Sequence, residues 1–366
     1  MVKPLSELPD QDCSALLQQQ VQNAVAARQP LLIRGAGSKP FSYPAAAGQP
    51  LEITGHRGIV NYQPVELLLT ARAGTPLVEI DRVLAEQGQM LPFEPPCYAP
   101  GTTLGGAIAS GLSGPARPYA GAARDFVLGC RLINGQGELL RFGGEVMKNV
   151  AGFDLARLMC GAMGTLGILL EVSLKVLPAA QAQRSLAIAM TEPEALQFCL
   201  RQRACNTPIT ATAYHAGKLR LRLAGHPQTL ALYRQRLGAG VFDGEGLGEI
   251  GGDGDYWAAL RDHRLPFFQE GAPLWRLSLP LAPMGDLADE LTGEACLWEW
   301  GGQQRWLRSA LPAARIYRAA QQAGGHATPF SATSRRTLDS LPAPLQALHQ
   351  RLKSAFDPHH ILNPTP

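Results

Sequence analysis

Several features that mark particular classes of protein are scarce or missing in this chain of 366 residues. The N-terminal residues lack the apolar core of a signal peptide, and no apolar run approaches the roughly 18 residues that a membrane-spanning helix needs. The seven cysteines are an odd number without a C-x-x-C pair, which argues against a disulfide framework, an iron–sulfur cluster or a structural zinc site. These absences predict a reduced, cytoplasmic protein.

An excess of charge of one sign is also missing. The formal net charge is +3 and the arginines form no run, so the composition does not point to nucleic acid. The eight histidines are scattered, and no two have the i, i+4 spacing of a helical metal site, so the sequence predicts no metal. The length and the 46% hydrophobic content predict two domains, each with its own core.

What the chain does have is loops rich in glycine. Residues 34–38 follow a short apolar strand pattern, and residues 100–111 run into a short apolar helical pattern. Glycine lets a backbone approach a ligand closely, and free N–H groups at a helix start attract phosphate oxygens. Two such loops predict a ligand whose pyrophosphate is held from two sides; the alternative is glycine-rich turns without a ligand. Residues 161–167 form a third such loop.

The hydrophobic pattern around these loops predicts mixed helices and strands, and so an α+β fold. The strands expected in the first half are 31–33, 51–54, 67–72 and 168–176, with a turn at 55–63 and a hairpin of 127–133 and 138–142. The first expected helix is 12–28, capped by Asp12 or Ser14. The second ends at Glu86, is capped by Thr75 and buries Leu77, Ile80 and Leu84. The elements expected in the second half are a hairpin at 211–223, helices near 228–237, 256–263 and 342–356, and strands at 274–279 and 295–300.

The motifs of the first half resemble the vanillyl-alcohol oxidase, or p-cresol methylhydroxylase-type (PCMH-type), FAD-binding family. The matching stretches are residues 30–38, 73–75, 100–106, 124–129, 164–168, 356–358 and 361–364. Residues 88–96 and 147–154 resemble, more narrowly, the family of small flavin subunits of bacterial glycolate oxidases. The resemblance implies a two-subdomain PCMH-type FAD-binding domain at 1–178, a small α+β cap domain at 179–340, and a C-terminal helix and tail at 341–366 that pack back on the FAD domain.

The same resemblance implies a set of FAD-binding residues. Those expected around the pyrophosphate are Arg34, Gly35, Ala36, Gly37, Ser38, Pro100, Gly101, Thr102, Thr103, Gly105 and Gly106. Those expected along the ribityl chain and flavin are Ala109, Ser110, Gly111, Ser113, Gly114, Gly121 and Asp125, and those expected by the ribose and adenine are Gly164, Thr165, Gly167 and Ile168. Covalent members carry a histidine where Ser38 stands, so FAD is expected to be non-covalent. An aspartate at Gly105 is expected to abolish FAD binding while the fold largely survives.

No catalytic residue follows from the sequence. Catalytic relatives carry an H-x-G-D-G-N motif in the second domain, whereas residues 251–255 lack the leading histidine and are interpreted as a loop. His359 and His360 stand where the family usually has glycine and are interpreted as a solvated turn. The pair at 335–336 could meet a carboxylate or be a solvated arginine pair, and Lys148 and Asp154 could be an ion pair.

The tryptophans of the second half, at 257, 275, 298, 300 and 306, have two interpretations. They could pack in the core of the second domain, or some could anchor a protein–protein interface, where aromatic residues are enriched. Trp298 and Trp300 alternate with Glu299 and would share one face of a strand.

The resemblance implies the FAD-binding subunit of a glycolate oxidase (glycolate dehydrogenase) complex. Its partners would be a larger flavin subunit and an iron–sulfur subunit, and the complex could lie on the inner face of the membrane. It would oxidise glycolate or a similar 2-hydroxy acid to the 2-oxo acid and pass electrons to an acceptor other than oxygen. The alternatives are a self-sufficient FAD-dependent oxidoreductase on another alcohol or hydroxy acid, and a non-catalytic scaffold subunit.

Overall fold

The computed structural model describes residues 10–39, 48–144, 154–240, 248–249, 256–269, 271–281, 291, 293–330 and 343–363. The chain divides into two compact units. Unit 1 comprises Met1–Ser113, Gly121–Ala179 and Arg335–Pro366, and unit 2 comprises Gly114–Ala120 and Ala180–Ser334. Each unit contains helices and mainly antiparallel strands, which confirms the predicted α+β class.

Helices and strands alternate irregularly along the chain. The described helices are α1 (Ser14–Ala27), α2 (Leu77–Glu86), α3 (Leu104–Ser110), α4 (Arg117–Ala120), α5 (Ala123–Phe126), α6 (Leu155–Leu158), α7 (Glu192–Arg203), α8 (Pro227–Gly240), α9 (Tyr256–Arg261), α10 (Pro266–Gln269), α11 (Ala313–Gln322) and α12 (Ala343–Phe356). The described strands are β1 (Leu31–Arg34), β2 (Gln49–Glu52), β3 (Ile59–Gln63), β4 (Leu68–Arg72), β5 (Gln89–Met90), β6 (Val127–Ile133), β7 (Leu139–Gly143), β8 (Ile168–Lys175), β9 (Leu177–Pro178), β10 (Ala182–Ala189), β11 (Ile209–His215), β12 (Lys218–Gly225), β13 (Gly248–Glu249), β14 (Leu274–Ser278), β15 (Ala295–Glu299), β16 (Gln304–Arg308) and β17 (His326–Pro329).

The main sheet of unit 1 has the antiparallel order β3–β4–β8–β6–β7. Its central strand β8 is buried at every position except Lys175, so it is covered on both faces. Helix α2 contributes Leu77, Ile80 and Leu84 to the same hydrophobic core, which confirms its predicted buried face. The glycine loops connect elements that pack in this core.

A smaller part of unit 1 begins the chain. Helix α1 buries Leu17, Val21 and Ala24, and the Asp12 carboxylate accepts a hydrogen bond from the backbone N–H of Ser14 at its start (2.8 Å). Strand β1 follows and pairs in parallel with β2. The carboxyl end of β1 then opens into the first glycine loop.

The C-terminal tail of unit 1 is fixed by a buried ion pair. The Lys353 ammonium on α12 donates to the Asp357 carboxylate (2.6 Å) and to the carbonyls of Thr165 (2.8 Å) and Leu362 (2.5 Å). Asp357 is fully buried and accepts from the backbone N–H groups of Ile361 (3.1 Å) and Leu362 (2.8 Å). Every polar group of this pair therefore has a partner inside unit 1.

Unit 2 is organised around one antiparallel sheet of eight described strands. Its order is β13–β10–β12–β11–β15–β16–β14–β17. The predicted hairpin is present as β11 and β12, with Tyr214 opposite Leu219. Residues 114–120, which carry α4, belong to this unit although both flanking segments belong to unit 1.

Several predictions of local structure were wrong. The expected turn at 55–63 contains strand β3, and the sequence pattern did not reveal β10, α7, β16, α11 or β17. Thr75 does not cap α2: Pro76 is at the N-cap, and the Thr75 hydroxyl instead accepts from the N–H of Gly58 (2.9 Å). The turn at His359 and His360 is exposed, as predicted.

Some predictions fall outside the described residues. These are the stretch 147–153 including Lys148, the loop 251–255 and the arginine pair 335–336. Asp154 is described; its carboxylate caps α6 and pairs with Arg157 (3.0 Å). No described helix is long and apolar enough to cross a membrane.

Candidate functional site

The first glycine loop, residues 34–38, is anchored at its upstream end. Upstream, the N–H of Ile33 donates to the side-chain oxygen of Asn363 (2.7 Å), and the N–H of Leu31 donates to the carbonyl of Ile361 (2.7 Å). Within the described part of the chain, the backbone N–H groups of residues 35–38 donate to no backbone carbonyl. The loop thus presents a row of donors on a fixed base, the arrangement found in anion-binding nests.

The second glycine loop contacts the first. The Thr102 hydroxyl donates to the hydroxyl of Ser38 (3.0 Å). A Cβ on Gly35 would lie 2.6 Å from the Thr103 hydroxyl oxygen, so glycine is what allows the two loops to approach. Thr103 caps α3 by accepting from the N–H of Gly106 (3.2 Å).

The N–H groups at the start of α3 are not free, contrary to the expectation from sequence. Leu104 donates to the carbonyl of Thr75 (2.9 Å), Gly105 to the carbonyl of Ala73 (2.7 Å), and Gly106 to the Thr103 hydroxyl (3.2 Å). These bonds fasten α3 to the segment that follows β4. The donors available for an anion therefore lie mainly in the first loop.

Gly105 has a packing role that the sequence did not reveal. A Cβ at this position would lie 2.7 Å from the Ala73 Cβ and 3.0 Å from the Ala73 carbonyl oxygen, closer than real Cβ atoms pack. This geometry argues against the expectation that an aspartate here would leave the fold largely intact, because any side chain would push α3 away from its neighbour.

The third glycine loop, residues 161–167, is fixed to α3 and to the tail. The N–H of Met163 donates to the carbonyl of Ala109 (2.9 Å), and the Asn363 side-chain amide donates to the carbonyl of Met163 (2.7 Å). Gly164 has φ +71° and lies so close to Asn363 that a Cβ would be 2.7 Å from its amide nitrogen. Asn363 thus joins the third loop to β1.

The three loops and the tail enclose a cleft of about 560 Å³, including the open space at its mouth. The predicted residues that line it are Gly35, Thr103, Gly105, Gly106, Ala109, Ser110, Gly164 and Gly167. The residues that line it and were not predicted are Ile33, Lys39, Ile53, Ala73, Met163, Leu169 and Asn363.

The remaining predicted residues do not line the cleft. Around its rim or in the adjoining loops are Arg34, Ala36, Gly37, Ser38, Pro100, Gly101, Thr102, Gly111 and Thr165. Ser113 accepts from the N–H of Ala123 (3.0 Å), and Asp125 accepts from the N–H of Ala122 (2.8 Å) beside Gly121. Ile168 is fully buried in β8, and Gly114 lies in unit 2.

Lys39 is the functional candidate that sequence reasoning missed. It directly follows the first loop, is 4% exposed, and is the one ionisable side chain among the described residues that line the cleft. Burial lowers the pKa of its amine to about 8, and the charge interaction with Cys97 makes a smaller opposing contribution. In the sequence, the one feature that could have pointed to Lys39 is its position as a basic residue immediately after a glycine loop.

The histidines of the described chain do not supply a base to this cleft. His56 is buried, and its Nδ1 accepts from the N–H of Cys13 (2.9 Å). In unit 2, His263 stacks on Phe268 with ring centroids 4.0 Å apart, and burial lowers its pKa to about 3. Desolvation also lowers the pKa of His56 and of His215, so all three imidazoles are neutral at pH 7. The described residues form no cluster suited to a metal ion.

The five tryptophans are buried in unit 2, with exposed fractions of 1–7%. This favours core packing over the interface interpretation. Trp298 stacks on Tyr214 with centroids 5.3 Å apart. Trp300 follows the end of β15 with φ +60°, so it does not continue the strand, and its indole N–H donates to the carbonyl of Gly114 (3.1 Å).

Comparisons with known proteins show what the whole chain is similar to. A family model described as an FAD binding domain matches residues 14–143. The chain is 46% identical over 354 residues to glycolate oxidase subunit GlcE of Escherichia coli (strain K12), covering 96% of this chain and 97% of that protein. It is 30% identical over 161 residues to glycolate oxidase subunit GlcD of Bacillus subtilis (strain 168), covering 43% of this chain and 34% of that protein.

The fold is also similar to that of a solved structure. Alkyldihydroxyacetonephosphate synthase aligns with a TM-score of 0.65 over 95% of this chain and 74% of that one. The sequence identity is 15%, so this likeness concerns the fold alone.

Proposed function

The chain belongs to the GlcE family of glycolate oxidase subunits, and we propose that it is the FAD-binding subunit of a glycolate oxidase complex. The observation that carries this proposal is the 46% identity that extends over 96% of this chain and 97% of its relative. The complex would oxidise glycolate, or a similar 2-hydroxy acid, to the 2-oxo acid. Its electrons would pass to an acceptor other than oxygen.

The residues of the cleft suit FAD. The first loop offers backbone donors without carbonyl partners among the described residues, and Lys39 adds a cation, which together fit a pyrophosphate. The close approach of Gly35 to Thr103 leaves the two loops side by side, so that one diphosphate can contact both. Bound FAD would supply a two-electron acceptor for the alcohol.

The chain's own contribution, on this proposal, is binding and orientation. The bonds from Asn363 to Ile33 and Met163 hold the first and third loops at a fixed separation, and those at Ala73 and Thr75 hold α3. The described lining provides no carboxylate or imidazole to take a proton from a hydroxy acid. We therefore propose that the chain alone reduces its flavin slowly with glycolate and depends on its complex.

The partners we propose are a larger flavin subunit and an iron–sulfur subunit. The relatives named as subunits GlcE and GlcD support an assembly of more than one kind of subunit. We propose a cytoplasmic location, with attachment to the inner face of the membrane only through the partners. Within the chain, unit 1 would hold FAD and unit 2 would serve as the cap.

Flavin reduction by the isolated chain tests the proposal. The purified, FAD-loaded chain is mixed with glycolate, D-lactate and ethanol without oxygen, and absorbance in the flavin band is followed by stopped flow. For the chain alone, we expect glycolate to bleach the flavin over minutes or longer. For the co-expressed complex, we expect glycolate to bleach the flavin faster than this, and ethanol not to do so. Rapid bleaching of the isolated chain by one substrate would show a self-sufficient enzyme. A complex that never forms on co-expression would contradict the subunit assignment.

A further inference from the structure

Lys39 occupies an unusual position for a lysine. Its side chain is withdrawn from solvent into the cleft between the two glycine loops, where the residue is 4% exposed. Its ammonium lies 3.9 Å from the point that a Cβ on Gly106 would occupy, so it faces the second loop while its backbone continues the first. A lysine at a protein surface would instead extend its ammonium into water.

The cation has no carboxylate partner among the described residues. The titratable groups that face it come from the stretch after α2: Cys97, through a charge interaction, and Tyr98, whose ring centroid is 6.0 Å away. The described lining is otherwise apolar or neutral, with Thr103, Ser110 and Asn363 as its polar side chains. A buried cation without a counter-charge is costly, and an anion in the cleft would remove that cost.

The surroundings indicate which anion. The backbone N–H groups of residues 35–38 have no backbone carbonyl partner among the described residues, and successive N–H groups of this kind suit phosphate oxygens. We propose that Lys39 is the cation that pairs with the pyrophosphate of FAD, and that FAD binding is coupled to the protonation of this one side chain. The proposal rests on the assignment of FAD to the cleft.

The coupling has a defined direction. Burial lowers the pKa of the free amine to about 8, whereas the pyrophosphate would raise it in the complex. Binding is therefore independent of pH below about 8. Above that value the free protein loses its proton, so the dissociation constant for FAD rises by about tenfold per pH unit until the pKa of the complex is reached.

The experiment is a titration of the apo chain with FAD and, separately, with ADP, from pH 6.5 to 10. FAD binding is followed by the quenching of flavin fluorescence and ADP binding by calorimetry. The variants are Lys39→Met, Lys39→Arg and the matched control Cys97→Ser, which removes the neighbouring thiol and keeps the lysine. Circular dichroism establishes that each variant is folded at every pH.

We expect Lys39→Met to bind both ligands about 10- to 100-fold more weakly at pH 7 and to lose the pH dependence. Lys39→Arg should bind close to wild type at pH 7 and remain flat to pH 10, because its guanidinium stays charged. Cys97→Ser should keep the pH dependence, with its midpoint moved slightly lower because the charge interaction that raises the Lys39 pKa is lost.

Two other outcomes would overturn the proposal in different ways. If Lys39→Met shifted the reduction potential of the bound flavin but left ADP binding unchanged, the lysine would face the flavin ring rather than the pyrophosphate. If the wild-type chain bound neither FAD nor ADP at any pH, the assignment of the cofactor to the cleft would fail as well.

Discussion

Replacement of Asp357 by alanine should destabilise unit 1 more than any change at the neighbouring surface. The carboxylate accepts three hydrogen bonds: from the Lys353 ammonium (2.6 Å) and from the N–H groups of Ile361 (3.1 Å) and Leu362 (2.8 Å). Burial already lowers the pKa of Lys353, and the Asp357 bond opposes that effect. Without the carboxylate, the buried ammonium loses its counter-charge, although it keeps the carbonyls of Thr165 and Leu362, and two backbone donors lose their partner.

The expected cost is about 3–5 kcal/mol, as for removal of one member of a buried ion pair. For a unit of this size, 1 kcal/mol lowers the melting temperature by about 2–4 °C, so the loss should be about 6–20 °C. Lys353→Met should cost less, because the Asp357 carboxylate keeps both backbone donors. The double variant should recover only part of the stability, since the two N–H groups stay unsatisfied.

Differential scanning calorimetry on the apo chain measures these shifts, with His359→Ala as the control because that side chain is exposed in the same turn. Asp357→Ala should also lower FAD occupancy, since the tail positions Asn363 in the cleft. A melting temperature within about 2 °C of wild type would refute this account of the tail. So would a Lys353→Met variant that is less stable than Asp357→Ala.

Two further substitutions probe the walls of the cleft. Asn363→Ala removes the bonds to Ile33 and Met163 and should cost about 1–3 kcal/mol and weaken FAD binding, measured by urea unfolding and flavin fluorescence. Gly105→Ala should destabilise by about 1–3 kcal/mol through overpacking, which thermal unfolding measures. Gly101→Ala is its control, because its new methyl would lie 3.4 Å from the nearest Cβ; equal melting temperatures for the two variants would contradict the packing role of Gly105.

Local pattern predicted the elements whose contacts are close in sequence. The hairpin of β6 and β7 was predicted from two apolar runs around Asn134 and Gly135, and the buried face of α2 from helical spacing. Strand β3 was missed because proline and glycine flank it and because its pairing with β4 depends on the whole sheet. The hydrogen bond from the Gly58 N–H to the Thr75 hydroxyl likewise depends on tertiary packing, which local sequence patterns do not predict.

The candidate site divides in the same way. Glycines mark where backbone must come close, so Gly35, Gly105 and Gly164 could be predicted to lie in the cleft region. The sequence could not predict which N–H groups remain available for a ligand. Those at the start of α3 donate to carbonyls of residues some thirty positions away, such as Ala73. Lys39 stands out only because it is buried, and burial is a property of the folded chain that the sequence does not show.

The bond from Ile33 to Asn363 joins residues 330 positions apart in the chain. A ribosome that adds about 5–20 residues per second delivers Asn363 roughly 15–65 s after Ile33 has been made. During that interval β1 and the first loop exist without the amide that aligns them, while the chain of unit 2 is being synthesised. Final assembly of the cleft is therefore a late event. A chain that stops before Asn363 would have all three glycine loops but would lack the side chain that joins β1 to the third loop.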